Sequence, residues 1–244
     1  MSITYKFLNK KINFKGDLKL DSINKIQSEI QIPIKYAKQI HSDNIYILND
    51  LNLNTSLIET DAIITKLEGV AIGVYTADCI PFLFSGDGII GAVHLGRKGI
   101  IKGLLNKVIK LLVTQYQIDL NQLKCYLGPS LEFANHTTFY EDSAQIPDKY
   151  KYFYPLGAHY INNVNIIDNY LKTNDLSLNS LSQRQSVRLD AMGYIIDSLI
   201  QLGVNQSNIV CDRIDTFENA NYHSYRRDYP NHGLNFSYIY KTTN

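Results

Sequence analysis

Tryptophan is absent from the chain, methionine occurs twice and cysteine three times, and no two cysteines form a Cys-x-x-Cys pair. Three cysteines cannot all pair with one another. We therefore expect a reducing compartment, with the cytoplasm as the default, and we expect any cysteine with a special role to be a ligand or a nucleophile rather than half of a disulfide. No apolar run approaches the ~20 residues of a membrane helix, and the first residues lack the apolar core of a signal peptide. The formal net charge of only +1 argues against nucleic-acid binding through a broad basic face. Neither a membrane nor a nucleic acid is expected as a partner.

What is present is typical of one globular domain, because the 244 residues are 45% hydrophobic and 19% charged. Alternating apolar residues predict strands at 34–40, 45–47, 61–65, 70–76, 82–84, 89–94, 123–127, 187–190, 208–211 and 236–240. Helical spacing predicts helices at 23–30 (capped by Asp21 or Ser22), 98–116, 141–149, 166–173 and 191–202 (capped by Asp190). Residues 1–20 are expected to form an edge strand or a loose arm. Strands grouped with intervening helices indicate an α+β or mixed α/β domain.

The stretch 70–99 carries the side chains least suited to packing alone. Two strand-like runs surround a Thr-Ala-Asp-Cys segment that ends in Cys79, and His94 lies near the end of the second run. Pro81 cannot donate to a sheet ladder, so we expect the chain to bend just after Cys79. The turn at 86–88 predicts a hairpin, which brings Cys79 and His94 together across neighbouring strands.

A thiolate and two imidazoles form a three-ligand zinc site with an open fourth position. His41 is the natural third ligand beside Cys79 and His94, because it also lies at a strand end. A water at the open position would have its pKa lowered to ~7. Two alternatives stay open. Cys79 is the nucleophile of a Cys-His hydrolase with His94 as base, oriented by Asp61 or Asp78, or Cys79 and His94 are packed interior residues.

The turn Gly96-Arg97-Lys98-Gly99 opens a helix and carries two cations. Backbone N–H groups at a helix start, together with Arg97 and Lys98, predict an anion site beside the metal. The alternative is a tight turn with solvated basic residues. Arg226 and Arg227 either supply a second anion contact or pair with acidic neighbours. His136 and His159 are predicted to be structural or exposed, and Cys125 is predicted to be a small core residue.

Six short segments follow one another along the chain: Gln39-Ile-His41, Asp61-Ala-Ile-Ile-Thr65, Thr76-Ala-Asp-Cys-Ile-Pro81, Ala92-Val-His-Leu-Gly-Arg-Lys-Gly99, Gly128-Pro129 and Ser224-Tyr-Arg-Arg-Asp228. Together they resemble the YfiH-like family, from about Lys38 to the C-terminus. Members of that family are described as laccase-domain or multicopper polyphenol oxidoreductase proteins, as purine nucleoside phosphorylases and as peptidoglycan editing factors. The resemblance implies one α+β domain over residues 1–244, with a central mixed β layer covered by helices. Residues 1–33 form a weakly matching N-terminal arm.

The resemblance also implies that the metal is zinc and that its ligands are His41, Cys79 and His94. It implies phosphorolysis of purine nucleosides, including methylthioadenosine, and deamination of adenosine. The residues expected to act in catalysis are Cys79, His94, Asp78 and Lys98. Those expected to bind phosphate or substrate are Gly96, Arg97, Lys98, Gly99, Arg226 and Arg227. The partner is thus a small molecule, and the chain is a monomer or a homodimer.

The chain departs from the family pattern in the N-terminal segment 1–33, at Gly233-Leu234, and in the glycine turn at 96–99. Arg97 and Lys98 stand where the family usually has tryptophan and arginine, and lysine lacks the bidentate fork that suits phosphate. Two other functions therefore stay open, an editing hydrolase acting on peptidoglycan precursors and a non-catalytic binding protein. Laccase-type polyphenol oxidation is not expected, because the chain has six histidines and no His-x-His pair to hold a copper cluster. Copper would bind only adventitiously, at Cys79.

Overall fold

The computed structural model of the protein describes residues 2–12, 14, 18–155, 171–174 and 183–242. Its strands are β1 (Ser2–Phe7), β2 (Ile34–Lys35), β3 (Ile45–Leu48), β4 (Ala62–Thr65), β5 (Ala71–Thr76), β6 (Ile80–Gly86), β7 (Ile89–Leu95), β8 (Lys124–Leu127), β9 (Thr137–Phe139), β10 (Lys151–Phe153), β11 (Ser186–Leu189), β12 (Ile209–Cys211) and β13 (Asn235–Thr242). Its helices are α1 (Leu18–Ile30), α2 (Arg97–Ile101), α3 (Leu104–Tyr116), α4 (Ala191–Gln201) and α5 (Tyr225–Asp228). Most of the predicted helix at 166–173, and also His159, lie outside the described residues.

The β layer consists of two sheets that pack face to face. One sheet has the strand order β12-β8-β6-β7-β4-β3 and the other β1-β13-β5-β2, while β10-β11-β9 form a smaller third sheet. Because side chains alternate along a strand, Ile72 and Val74 of β5 face the six-stranded sheet and meet Leu83 and Ile90. The apolar core between the two sheets therefore comes from inward-facing positions of both.

Helices cover the outer faces of both sheets, which gives the predicted α+β domain. The apolar sides of α3 and α4 pack on the six-stranded sheet, where Phe82 and Phe84 are fully buried. On the other side, Ile23 and Ile26 of α1 pack against the four-stranded sheet. Among the described residues, none of the helices combines the length and the apolar character needed to cross a membrane.

The hairpin that the turn at 86–88 predicts is present and fixes the position of the central residues. Strands β6 and β7 pair antiparallel, with Pro81 opposite His94 and Ile80 opposite Leu95. Asp87 and Gly88 take positive φ values of 46° and 75° in the turn. The start of β6 and the end of β7 are therefore neighbours, and Cys79 lies beside His94 as expected.

Helix boundaries differ from the predictions at three places. The single helix predicted from Lys98 is two helices, because Gly103 adopts the left-handed conformation (φ 80°) between α2 and α3. Helix α1 begins at Leu18, so Asp21 and Ser22 both lie inside the helix and neither caps it. The segment 141–149 forms two isolated single turns instead of a helix. By contrast, Asp190 caps α4 as predicted, accepting a hydrogen bond from the backbone N–H of Gly193 at 2.8 Å.

Two strand predictions are also wrong in detail, and both errors lie next to the site. The strand predicted at 34–40 ends after Lys35, and the chain then turns at His41, which has a φ of 56°. The bend expected after Cys79 occurs just before it, at Asp78 with a φ of 86°. Pro81 stands within β6, near its first residue, where a missing N–H is tolerated.

Candidate functional site

Three segments bring a thiol and two imidazoles together in the wall of a cavity of about 660 Å³. His41 comes from the turn after β2, Cys79 directly precedes β6, and His94 is the second-last residue of β7. Their ligand atoms all lie within 4.8 Å of one another. The Sγ of Cys79 is 3.9 Å from the Nε2 of His41, and the two imidazole centroids are 4.7 Å apart.

Asp61, just before β4, fastens two of these three residues. One carboxylate oxygen accepts hydrogen bonds from the Nδ1 of His94 at 2.7 Å and the backbone N–H of His41 at 3.1 Å. The other oxygen accepts from the backbone N–H and the hydroxyl of Ser42, at 2.6 and 2.7 Å. A carboxylate behind a histidine fixes the ring and its protonation, which leaves the Nε2 of His94 as the nitrogen able to bind a metal.

The electrostatics of the group favour the thiolate. Burial raises the pKa of Cys79, but the charge of His94 and the hydrogen bonds from both imidazoles outweigh it and hold this pKa at about 6. Burial lowers the pKa of His94, yet the Cys79 thiolate and the Asp61 carboxylate together raise it to about 9. Burial also opposes ionisation of Asp61, whose pKa is nevertheless about 2 because His94 and Ser42 donate to it. A thiolate is the form that binds a metal.

Gly96 leaves the space in which the three ligand side chains meet. A Cβ atom at this position would lie 2.7 Å from the Cδ2 of His41, 3.2 Å from the Sγ of Cys79 and 3.3 Å from the Cε1 of His94. Its φ of −76° is open to any residue, so close approach rather than backbone conformation requires glycine here.

This donor set fits a metal ion. One thiolate and two imidazoles, one of them oriented by a carboxylate, match the three protein ligands of catalytic zinc sites. The same ligands also have a high intrinsic affinity for copper. The cavity leaves room for a fourth ligand beside the three side chains.

Another part of the cavity wall carries Arg97, His136 and Arg226. The Nη1 of Arg97 donates to the backbone carbonyl of Asp142 at 2.5 Å. The Nη2 of Arg226 donates to the carbonyl of Thr137 at 2.7 Å. Both guanidinium groups are therefore held in place by backbone carbonyls.

Asp78 fastens this second wall and does not contact His94. Its Oδ2 accepts from the backbone N–H of Arg226 at 2.6 Å, and its Oδ1 accepts from the hydroxyl of Thr216 at 2.7 Å. Of the two carboxylates that were candidates for orienting the His94 imidazole, Asp61 has that position. The hydrogen bond from Arg226 directs the Asp78 side chain toward α5, and the backbone of Asp78 has a positive φ of 86°.

Arg227 does not fit the anion-binding role predicted for it. Its guanidinium donates to the carbonyls of Thr216, Phe217 and Tyr222 at 2.7–2.8 Å and forms a two-point contact with Asp228. The alternative, pairing with an acidic neighbour, is the arrangement found. Lys98, by contrast, is exposed on α2 and lines the cavity.

Several residues of the cavity wall were not predicted from the sequence to belong to the site. His136 was expected to be structural or exposed, and it lies in the cavity wall. Tyr75, Tyr225 and His232 also line the cavity, and the last two rings contact each other with centroids 4.8 Å apart. Tyr225 lies inside the Ser-Tyr-Arg-Arg-Asp motif, so the motif marked it without assigning a role. Nothing in the pattern around His136 or His232 pointed to the site.

The fold and the site define a class of protein, two stacked sheets covered by helices that present a thiolate and two imidazoles in a cavity. A family model described as multi-copper polyphenol oxidoreductase laccase matches residues 20–242. The chain belongs to this family.

Known relatives and solved structures agree with that assignment. A purine nucleoside phosphorylase of Aquifex aeolicus is 38% identical over 97 residues, which are 40% of this chain and 44% of that protein. A purine nucleoside phosphorylase of Borreliella burgdorferi is 37% identical over 98 residues, 39% of this chain and 42% of that protein. The matched segments thus span less than half the length of these relatives.

Structural similarity extends over almost the whole chain. The crystal structure of Bacillus licheniformis hypothetical protein YfiH has a TM-score of 0.79 at 17% identity, covering 98% of this chain and 93% of that one. YlmD from Geobacillus stearothermophilus has a TM-score of 0.71 at 18% identity, covering 92% and 80%. At these identities the likeness shows the fold.

Proposed function

We propose that the protein is a zinc-dependent purine nucleoside phosphorylase that also deaminates adenosine. The observation that carries the proposal is the convergence of His41, Cys79 and His94 in a cavity whose wall also holds arginine side chains. A cavity of about 660 Å³ lies within the range of small-molecule sites. The relatives named purine nucleoside phosphorylase support the substrate class.

His41, Cys79 and His94 would hold the zinc ion, which would supply a Lewis acid at this point of the cavity. Asp61 is a positioning residue, because it fixes His94 and the backbone of the His41 turn. Asp78 is a positioning residue for α5. Copper competes for the same ligands when it is present, without a laccase-type copper cluster.

Phosphate binds at the cationic part of the cavity wall. The groups that bind it are Arg97, Lys98, Arg226 and the backbone of Gly96 and Gly99. In phosphorolysis a phosphate oxygen bonds to C1′ of the ribose while the C1′–N9 bond breaks and its electron pair goes to the purine. The proton of hydrogenphosphate ends on the purine, so ribose 1-phosphate and the free base leave.

A Cys-His hydrolase is the second candidate, and the thiolate of Cys79 beside a charged His94 favours it. In that mechanism Cys79 attacks the substrate and no metal is required. An editing hydrolase acting on peptidoglycan precursors is a further use of the same side chains. Metal dependence separates the two mechanisms, and the substrate separates the two enzymes.

Metal content and turnover test the proposal together. Protein purified without added metal is expected to hold about one zinc per chain, and the Cys79→Ala variant is expected to lose it. Cleavage of inosine, adenosine and methylthioadenosine is measured with and without phosphate. In the wild type we expect cleavage that requires phosphate, and in the variant we expect none. Unchanged metal content and turnover in Cys79→Ala would refute the proposal. A metal-free wild type with an alkylation-sensitive activity would establish the hydrolase.

A further inference from the structure

The cavity wall is unevenly charged, although the whole chain carries a net charge of only +1. The described residues that line the cavity include five cations, Lys19, Lys38, Arg97, Lys98 and Arg226, of which Lys38 is paired with Glu59 at 2.8 Å. The anions of the same lining are the Asp78 carboxylate and the Cys79 thiolate, which belongs to the metal ligands. Asp78 is already used by Thr216 and by the backbone N–H of Arg226. The lining therefore favours an anion over a neutral ligand.

Arg97 and Arg226 are the cations of this wall with a fixed geometry. Each donates to a backbone carbonyl, Arg97 to Asp142 and Arg226 to Thr137. Arg97 is also 3.6 Å from the Asp142 carboxylate, while the backbone of Arg226 is fastened to Asp78. Preorganised guanidinium groups lose little freedom when an oxyanion binds, which favours binding.

His136 lies in the same part of the wall and has a ring nitrogen that the fold does not use. Its Nδ1 is buried and has no hydrogen-bond partner among the described residues. Burial and the charges of Arg226 and Arg97 lower the pKa of His136 to about 3. The imidazole is thus neutral at physiological pH, with one nitrogen that donates and one that accepts. A buried polar side chain without a partner requires an explanation, and a ligand supplies one.

We infer that His136 joins Arg97 and Arg226 in a three-point oxyanion subsite, which binds inorganic phosphate as the acceptor of the proposed phosphorolysis. The two guanidinium groups provide the charge, and the imidazole provides a neutral N–H that contacts a third phosphate oxygen. This subsite rests on the proposed function for its role in turnover, but phosphate binding itself does not depend on it.

Binding of inorganic phosphate without nucleoside tests the subsite. Isothermal titration calorimetry of the zinc-loaded protein is expected to give a Kd for phosphate that rises about tenfold in His136→Phe, because one hydrogen bond to a charged group is lost. His136→Gln keeps an N–H donor and is expected to lose less. His223→Phe is the matched control, because His223 lies outside the cavity lining, and its Kd is expected to equal that of the wild type.

No phosphate binding in the wild type, or the same Kd in all these proteins, would overturn the inference. The second result would mean that the metal alone holds the phosphate. If His136→Phe does not fold, His136→Gln and Arg97→Lys carry the comparison, since both keep a donor but change its geometry. The outcomes also separate the two proposals. Phosphate binding that depends on His136, with no nucleoside cleaved, overturns only the proposed function, whereas phosphate-dependent cleavage with a Kd for phosphate that His136→Phe leaves unchanged overturns only this subsite.

Discussion

The two functional walls of the cavity are each held by one aspartate, and they are built in different ways. Asp61 holds His94 and the backbone of residues 40–42 at the end of the six-stranded sheet where β4 begins and β7 ends. Asp78 holds Arg226, which lies 148 residues further along the chain. The metal wall is thus made of two strand ends that a hairpin brings together and of the His41 turn, which a hydrogen bond to Asp61 holds beside them. The anion wall is assembled from α2, the segment before β9 and α5, which meet only in the finished fold.

This difference has an electrostatic side. The Asp61 carboxylate has a charged histidine as a partner, and its pKa falls to about 2. Asp78 has hydrogen-bond donors but is so deeply buried that its pKa is raised instead. The metal wall therefore depends strongly on one ionised group, whereas the anion wall is held by several weaker contacts. Changes to the first are expected to have larger effects than changes to the second.

The Asp61→Asn variant is expected to show the largest effect. In the wild type, one carboxylate oxygen accepts from His94 and His41 and the other accepts from the N–H and hydroxyl of Ser42. In either orientation of the asparagine amide, its NH₂ group replaces one of these oxygens and faces donors instead of accepting from them. Breaking such a buried contact is expected to lower the free energy of unfolding by about 3–5 kcal/mol. Metal affinity is expected to fall by about 10–100-fold. Urea unfolding and zinc titration measure the two quantities, and a variant with wild-type values of both would refute the assigned role of Asp61.

Acid unfolding sharpens the same point. The folded pKa of Asp61 lies at about 2, below its ordinary value of 3.8. Its stabilising contribution is therefore complete above its ordinary pKa and is lost as the pH falls from about 4 toward 2. The free energy of unfolding of the wild type is expected to drop across this window more steeply than that of Asp61→Asn. Equal slopes, measured by urea unfolding at a series of pH values, would contradict the ionised contact.

The two neighbouring arginines of α5 provide an internal contrast. Arg227→Gln removes donors to three backbone carbonyls and to Asp228, so a loss of stability of about 2 kcal/mol is expected. Its Kd for phosphate is expected to stay at the wild-type value, because the guanidinium lies outside the cavity lining. Calorimetry on Arg227→Gln and Arg226→Gln checks this, and a Kd raised equally in both would make Arg227 part of the subsite.

The same contrast shows what the sequence can and cannot predict. The motif placed Arg226 and Arg227 together, but successive helix residues point about 100° apart, so one lines the cavity and the other packs into the loop. The His41, Cys79 and His94 group was predictable because a hairpin and a short turn bring it together. His136 was not predictable, because it shares the cavity wall with Arg97 of α2 and Arg226 of α5, and no local pattern brings these distant segments together. The stacking of two sheets was hidden for the same reason, since alternation marks a buried face without naming its partner.

Asp78→Asn tests the anion wall without touching the metal ligands. Asparagine tolerates the positive φ at this position, so the backbone of the bend is expected to persist. One acceptor for Thr216 or for the backbone N–H of Arg226 is lost, and the Arg226 side chain is held less firmly. We expect the Kd for phosphate to rise about tenfold or less, with zinc content unchanged. Loss of zinc in this variant would show that the two walls are one mechanical unit.

Gly96→Ala is expected to give the smallest effect, and it isolates the space between the ligands from their chemistry. The new methyl group would approach the His41 ring most closely, at 2.7 Å, and His41 is the exposed member of the three. Because an exposed ring on a turn can shift outward, stability is expected to change little, and zinc affinity is expected to fall by up to about tenfold. Competition with a chelator measures the zinc affinity. Gly69→Ala is the control for the zinc affinity, because a Cβ atom at Gly69 would have no atom within 4 Å. The positive φ of 66° at Gly69 adds backbone strain, so this control does not serve for stability. If the Gly96 variant binds zinc as tightly as the wild type, the three ligands have more freedom than their close packing indicates, and Asp61 alone determines the geometry of the metal wall.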